Sequence, residues 1–170
     1  MGSSIFYKEE IIMANALTIY NRADIVNFMN TGTVSEPVYT RMQGFTEGGK
    51  SLNSSTYDRR YIDEKTERST VTGYSTEIAY NFDRIVDNAI HEKLADIHDK
   101  ELVGETVQIL TVNLKNNEAR LRNYSVIPDA DGDSTDAYTY SGTFHADGDI
   151  QEGTATVSAD GITATFTASL

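Results

Sequence analysis

The chain has 170 residues, no cysteine and a formal net charge of −12. These values exclude disulfide staples and thiolate metal sites, and they disfavour nucleic-acid binding, because affinity for phosphate comes from lysine and arginine. No apolar run approaches the ~20 residues that span a bilayer, and no continuous apolar stretch marks a secretion signal, so a reducing cytoplasm is the expected place of synthesis.

The length suits one domain, and 39% hydrophobic residues suffice for a modest core. Acidity is uneven along it. Residues 1–127 carry 18 acidic and 14 basic side chains, whereas residues 128–170 carry eight acidic side chains and no lysine or arginine. Residues 1–16 read as an N-terminal arm ahead of a domain spanning 17–170. Met13-Ala14-Asn15 resembles a protein start, and Lys8-Glu9-Glu10-Ile11-Ile12 would be encoded by purine-rich codons, like a translated ribosome-binding region. Residues 1–12 are therefore either a non-native extension or an ordinary flexible arm.

Leu17 and Ile19 suggest a short strand, and Ile25, Val26 and Met29 a following turn or short helix. Residues 30–37 form a turn region, and 38–45 a strand. Residues 46–70 are the least patterned stretch and read as a long loop. Within it, 58–68 carries four acids and four bases. This is either a solvated surface or an ordered excursion that docks on a neighbouring subunit. A loop of that length in a compact domain is usually functional.

Residues 71–82 alternate as one strand, with Tyr74, Thr76, Ile78, Tyr80 and Phe82 on one side. Residues 84–98 switch to helical spacing through Ile85, Val86, Ala89, Ile90, Leu94 and Ile97, with Asp83 as the expected N-cap. That apolar stripe needs a sheet to cover. Residues 107–114 are apolar on both faces, which predicts a central strand. After a turn at 115–118, residues 119–127 form a strand closed by Pro128. An acidic turn follows at 129–136. Residues 137–146 form a strand with Tyr138, Tyr140, Gly142 and Phe144 on one side, and a bulge is expected near Asp147-Gly148-Asp149. The chain then ends in a hairpin about a two-residue Asp160-Gly161 turn. Its register pairs Ala159 with Ile162, Val157 with Ala164 and Ala155 with Phe166. Seven or eight strands and one helix predict a mainly β (β+α) fold: an antiparallel β-sandwich or barrel with a flanking helix at 84–98.

No catalytic constellation emerges, so an enzyme is not expected, and neither is a cofactor. Asp129, Asp131, Asp133 and Asp136 have the spacing of a calcium loop but depart from the EF-hand pattern. Gly132 stands fourth rather than sixth, and Tyr140 stands where the bidentate Glu belongs. They are a weak metal candidate and read better as a solvated turn. His91 and His98 are seven apart, not the four of a zinc helix, and read as hydrogen-bonded or exposed side chains. Gly48-Gly49-Lys50-Ser51 lacks the first glycine of a phosphate loop.

Four segments together resemble the major tail protein, or tail tube protein, of long-tailed bacteriophages: YIDEKTERSTVTGY (61–74), IAYNFDRIVDNAIHEKLADIHDKELVG (78–104), YSVIPDADGDSTDAYTYSGTF (124–144) and GTATVSADGITATF (153–166). The resemblance spans Leu17 to Leu170. It implies a β-sandwich with a flanking helix, an N-terminal arm and a long loop, polymerised as stacked hexameric rings around a lumen. DNA passes through such a lumen without specific binding, and an acidic wall would keep it from adhering. The 46–70 loop matches the one that reaches the adjacent ring, which makes Tyr57, Arg59, Arg60, Tyr61, Asp63, Glu64, Lys65, Glu67 and Arg68 candidate subunit-interface residues. Strands 38–45 and 71–82 are the expected lumen strands, with Glu77 the candidate lumen charge. The implied partners are further copies of the chain, a tail terminator, a tape-measure protein and a distal tail or initiator protein, with no membrane. The implied location is the virion tail, after assembly in the host cytoplasm. The same fold serves the inner tubes of contractile tails and tailocins, which stay open as alternatives. A competing reading is a stand-alone decoration or glycan-binding module using exposed Tyr138 and Tyr140.

Overall fold

The computed structural model describes residues 17–170; the expected arm at 1–16 lies outside them. It is mainly β and antiparallel with one α-helix. In chain order the elements are β1 (Ile25–Asn30), β2 (Tyr39–Arg41), β3 (Phe45–Glu47), β4 (Lys50–Ser51), β5 (Ser54–Arg59), β6 (Arg68–Tyr74), β7 (Glu77–Asp83), α1 (Ala89–Asp99), β8 (Thr106–Asn113), β9 (Glu118–Asp131), β10 (Thr139–Ala146), β11 (Gln151–Val157) and β12 (Thr163–Ala168).

One sheet runs β11-β12-β2-β1-β8-β9-β10-β7-β3, and β11 also pairs with β9. That extra pairing closes β9, β8, β1, β2, β12 and β11 into a small barrel. The device is the length of β9. Its first residues, Glu118 to Leu121, pair with β11, and Tyr124 to Asp131 pair with β10. Inward positions shift accordingly. Ala119 and Leu121 fill the barrel together with Phe28, Leu110, Val112, Ala155 and Ala164. Tyr124 and Val126 instead face the helix-covered core, with Tyr80, Phe82, Leu94, Ile109 and Phe144. β8 serves both cores, Ile109 on one side and Leu110 on the other, as its two apolar faces predict.

The terminal hairpin keeps the expected pairs Ala155–Phe166 and Val157–Ala164. Its turn is longer than two residues. Ser158 N donates to Thr163 O at 2.8 Å, and Gly161 (φ +75°) sits inside the loop. Ile162 cannot pair with Ala159, because its carbonyl accepts from Arg41 N at 2.7 Å and ties the hairpin to β2.

Several boundaries differ from expectation. The helix begins at Ala89, not 84. Arg84 N still donates to Tyr138 O at 2.9 Å, prolonging the β7–β10 ladder, and Asp87 takes a left-handed φ of 61°. Asn88 is the N-cap, accepting from Ile90 N and His91 N. Ile85 and Val86 are consequently exposed, and Asp83 belongs to β7. Residues 38–45 break at Gly44 (φ +77°) into β2 and β3. Residues 71–82 divide at Ser75-Thr76, where Ser75 N turns to Leu52 O. Near the start the order is reversed, with a 3-10 turn at Arg22–Asp24 leading into β1. Pro128 does not end its strand. It sits opposite Gly142 beside a register shift, a place that tolerates a missing N–H. The expected bulge at 147–149 is a corner instead: β10 and β11 do not pair with each other but lie in succession along β9.

Candidate functional site

Residues 46–70, expected as a loop, are about half strand. β5 and β6 form a separate two-stranded sheet with the register Arg59–Arg68, Tyr57–Thr70 and Ser54–Tyr74. Almost every residue of this hairpin is exposed on both faces. A lone two-stranded ribbon is marginally stable in water, and it leaves two unpaired edges able to template another strand. Tyr57, Val71 and Tyr74 are about half exposed on the strands, and Tyr61 and fully exposed Ile62 lie in the turn. The ribbon therefore offers apolar contact area as well as backbone donors and acceptors.

The candidate interface residues divide into two groups. Arg68 grips Glu64 across the turn, with Arg68 Nε donating to Glu64 Oε2 at 2.9 Å and a second guanidinium contact to Oε1. Arg59 donates to Tyr57 Oη at 2.8 Å and lies opposite Arg68. Ser69 Oγ donates to Asp58 at 2.5 Å, fastening the two strands. Arg60, Tyr61, Asp63, Lys65 and Glu67 occupy the turn, and the four charged ones form no ion pair among the described residues.

Glu77 starts β7 at the foot of this ribbon, opposite Ser51 on β4 and His145 on β10. Alternation puts Glu77, Ala79, Asn81 and Asp83 on the face of β7 turned away from the helix-covered core. Ser141, Thr143 and His145 are their partners on β10. This face is small and polar, holds two acids, and has no lysine or arginine.

The acidic turn does not gather a metal site. Asp129 and Asp131 lie in β9, Asp133 and Asp136 in the connection to β10, and no three carboxylate or imidazole groups converge among the described residues. Asp131 accepts from Tyr138 Oη at 3.1 Å, which raises the Tyr138 pKa.

The helix is held by polar pins that sequence reasoning left as ordinary histidines. His91 is fully buried. Its Nε2–H donates to Gln43 O at 2.6 Å, and Nδ1 accepts from Ile85 N at 3.0 Å. The two bonds fix a neutral tautomer, and burial lowers its pKa. His98 is bonded to Tyr80 Oη at 2.8 Å and is also lowered, chiefly by burial. Arg84 donates to Tyr140 Oη at 3.0 Å, and Tyr140 Oη donates to Asp99 at 3.3 Å. Tyr140 is only 1% exposed, so it is not the exposed ring that a glycan-binding module would use. Alternate tyrosines facing a helix with spaced histidines were the available signal for this network.

No protein-family model matches the chain, and no curated protein matches it. Among solved structures, it resembles a chain in the tail of an empty gene transfer agent particle, refined helically with C6 symmetry. That match has TM-score 0.59 and 13% identity, over 78% of this chain and 97% of that one. A chain in the virion of the native gene transfer agent particle gives TM-score 0.56 and 13% identity, over 79% of this chain and 98% of that one. At that identity the likeness is one of fold.

Proposed function

We propose that this chain is a structural, non-enzymatic subunit of a phage-like tail tube, which polymerises as stacked six-fold rings of identical copies. The observation that carries this reading is the fold it shares, over nearly the whole partner chain, with a component of a C6-symmetric tail. The β5–β6 ribbon supports it, because its two free edges and uncovered faces need a neighbour. In this reading the ribbon reaches the adjacent ring through Tyr57, Tyr61 and the unpaired charges of its turn. The β7–β10 face carrying Glu77 lines the lumen as an acidic, hydroxyl-rich wall. DNA leaves through that lumen unbound, and tail terminator, tape-measure and initiator proteins cap and measure the tube. The subunit would be made in the host cytoplasm and reside in the virion tail.

Negative-stain microscopy and sedimentation velocity of concentrated protein test the reading. Rings or tubes with six-fold symmetry are expected. Isolated globular particles at every concentration, with and without an initiator complex, would end it.

A further inference from the structure

Two adjoining cavities of about 410 and 450 Å³ share Arg22, Ile25, Asn27, Gly48 and Ile78 and form one cleft. It lies between the start of β1, whose ladder with β2 ends at Phe28 with one further bond from Met42 N to Asn27 O, and β3, which pairs only with β7 among the described residues. The sheet curls so that these two incompletely paired strands face each other across an apolar floor that includes Ile109 and Phe144. The chain has 26 acids and 14 bases, yet the cleft is lined by Arg22, Arg41, Lys50 and Arg120 against the single acid Glu47. None of these four cations is in an ion pair among the described residues.

The complementary feature sits at the other end of the molecule. The connection between β9 and β10 (132–138) contains exposed Asp133 and Asp136 and no base, and it follows exposed Asp131. Arg120 and Asp131 are separated by a β9 contour of about 36 Å. Lys50 lies opposite Ile78, near the beginning of β7, whereas Asp83 at the end of β7 lies opposite Thr139. The charge of the protomer is thus polar along its strands: the cleft cations Lys50 and Arg120 lie toward one end, and an acidic turn at the other. One copy cannot satisfy both, whereas a row of copies can.

We propose that this cleft receives the acidic β9–β10 turn of a second copy of the chain, a heterologous head-to-tail contact of the kind that builds rings and filaments. The proposal rests on the self-assembly reading and specifies one of its contacts. The aspartates meet Arg22, Lys50 and Arg120, and the β3 border, which is paired only with β7 among the described residues, gains a neighbour.

The test is a charge swap on the full chain. Arg22→Glu with Arg120→Glu makes one variant, and Asp133→Lys with Asp136→Lys the other. Each alone juxtaposes like charges and should raise the concentration needed for assembly by roughly tenfold or more. Mixed together, they should assemble near the wild-type concentration, because each reversed cleft meets a reversed turn. As a check independent of these changes, Lys50→Cys and Ser134→Cys chains, otherwise cysteine-free, should cross-link to each other when mixed. If the swapped variants assemble like wild type, if the mixture fails to recover, or if the cysteine chains do not cross-link, this contact is wrong while self-assembly stands. A wild-type chain that never assembles removes the underlying reading itself.

Discussion

Gly142→Ala is the sharpest single test of how the two halves of the large sheet are joined. Gly142 is buried on β10, opposite Tyr80 on β7 and Pro128 on β9. An added Cβ would lie 2.5 Å from Tyr80 Oη, 2.7 Å from Tyr80 Cζ and 2.5 Å from the Ile127 carbonyl oxygen. Tyr80 has no room to retreat. Its ring stacks on Phe144 at 4.4 Å, and its hydroxyl is bonded to His98 at 2.8 Å. The Ile127 oxygen belongs to the backbone of β9 and moves only with that strand. Overpacking of this kind costs about 1–3 kcal/mol, and losing the Tyr80–His98 bond adds about 0.5–1.5 kcal/mol. The expected loss is therefore about 2–4 kcal/mol, or a Tm lower by about 5–15 °C for a chain of this size. Circular-dichroism melts of dilute, unassembled protein measure it.

A cycle with Tyr80→Phe then separates the causes. That change removes the hydroxyl from the clash, so its own cost of about 1 kcal/mol should vanish or reverse in the alanine background. The coupling should be about 1 kcal/mol or more. A Tm drop below about 3 °C, or strict additivity, would refute the claim that β10 owes its approach to Tyr80 to a missing side chain.

Three further outcomes are expected. Both His91 and His98 have pKa values held below the usual 6.5 by burial, so between the folded and unfolded values the unfolded chain binds more protons. Stability from this source is complete above pH 6.5 and is lost as pH falls through 6.5 toward the depressed folded values; urea midpoints against pH should show that slope, and His91→Gln should flatten it. Replacing residues 54–74 by a short Gly-Ser linker should shift the monomer's Tm by only a few degrees, since the ribbon buries almost nothing, yet abolish tubes in negative stain; a collapse of the monomer would contradict its independence. Glu77→Lys should leave tube formation intact but slow DNA release from particles carrying it; unchanged ejection would remove the wall-charge role from that position.

What could be read in the sequence was whatever a single local period encodes. Leu110 and Ile109 point into different cores, and both were visible because β8 is apolar on both faces. The Ala155–Phe166 pairing was visible because the Asp160-Gly161 position centres the hairpin and one alternation then sets the pairs, even though the turn itself is longer than two residues. Where two local signals compete, the stronger bond decides and the period misleads. Ile85 and Val86 fit the helical spacing of α1, but Arg84 N is claimed by Tyr138 O and Asp87 takes a left-handed turn, so Asn88 caps the helix five residues late. Barrel closure was invisible for a different reason. It depends on β9 being long enough to pair with β10 and β11 in turn, and nothing short of the folded register reports which part of a strand meets which neighbour. The β5–β6 ribbon is the limiting case. Hydrophobic alternation is the imprint of burial within one chain, and a ribbon whose covering lies on another copy carries no such imprint. Ser54 to Arg59 looked like loop because nothing among the described residues covers either face of the stretch and gives it an inside and an outside. In the proposed assembly, where neighbouring copies would cover the ribbon, the unpatterned, charge-balanced stretch of sequence is where the interface belongs.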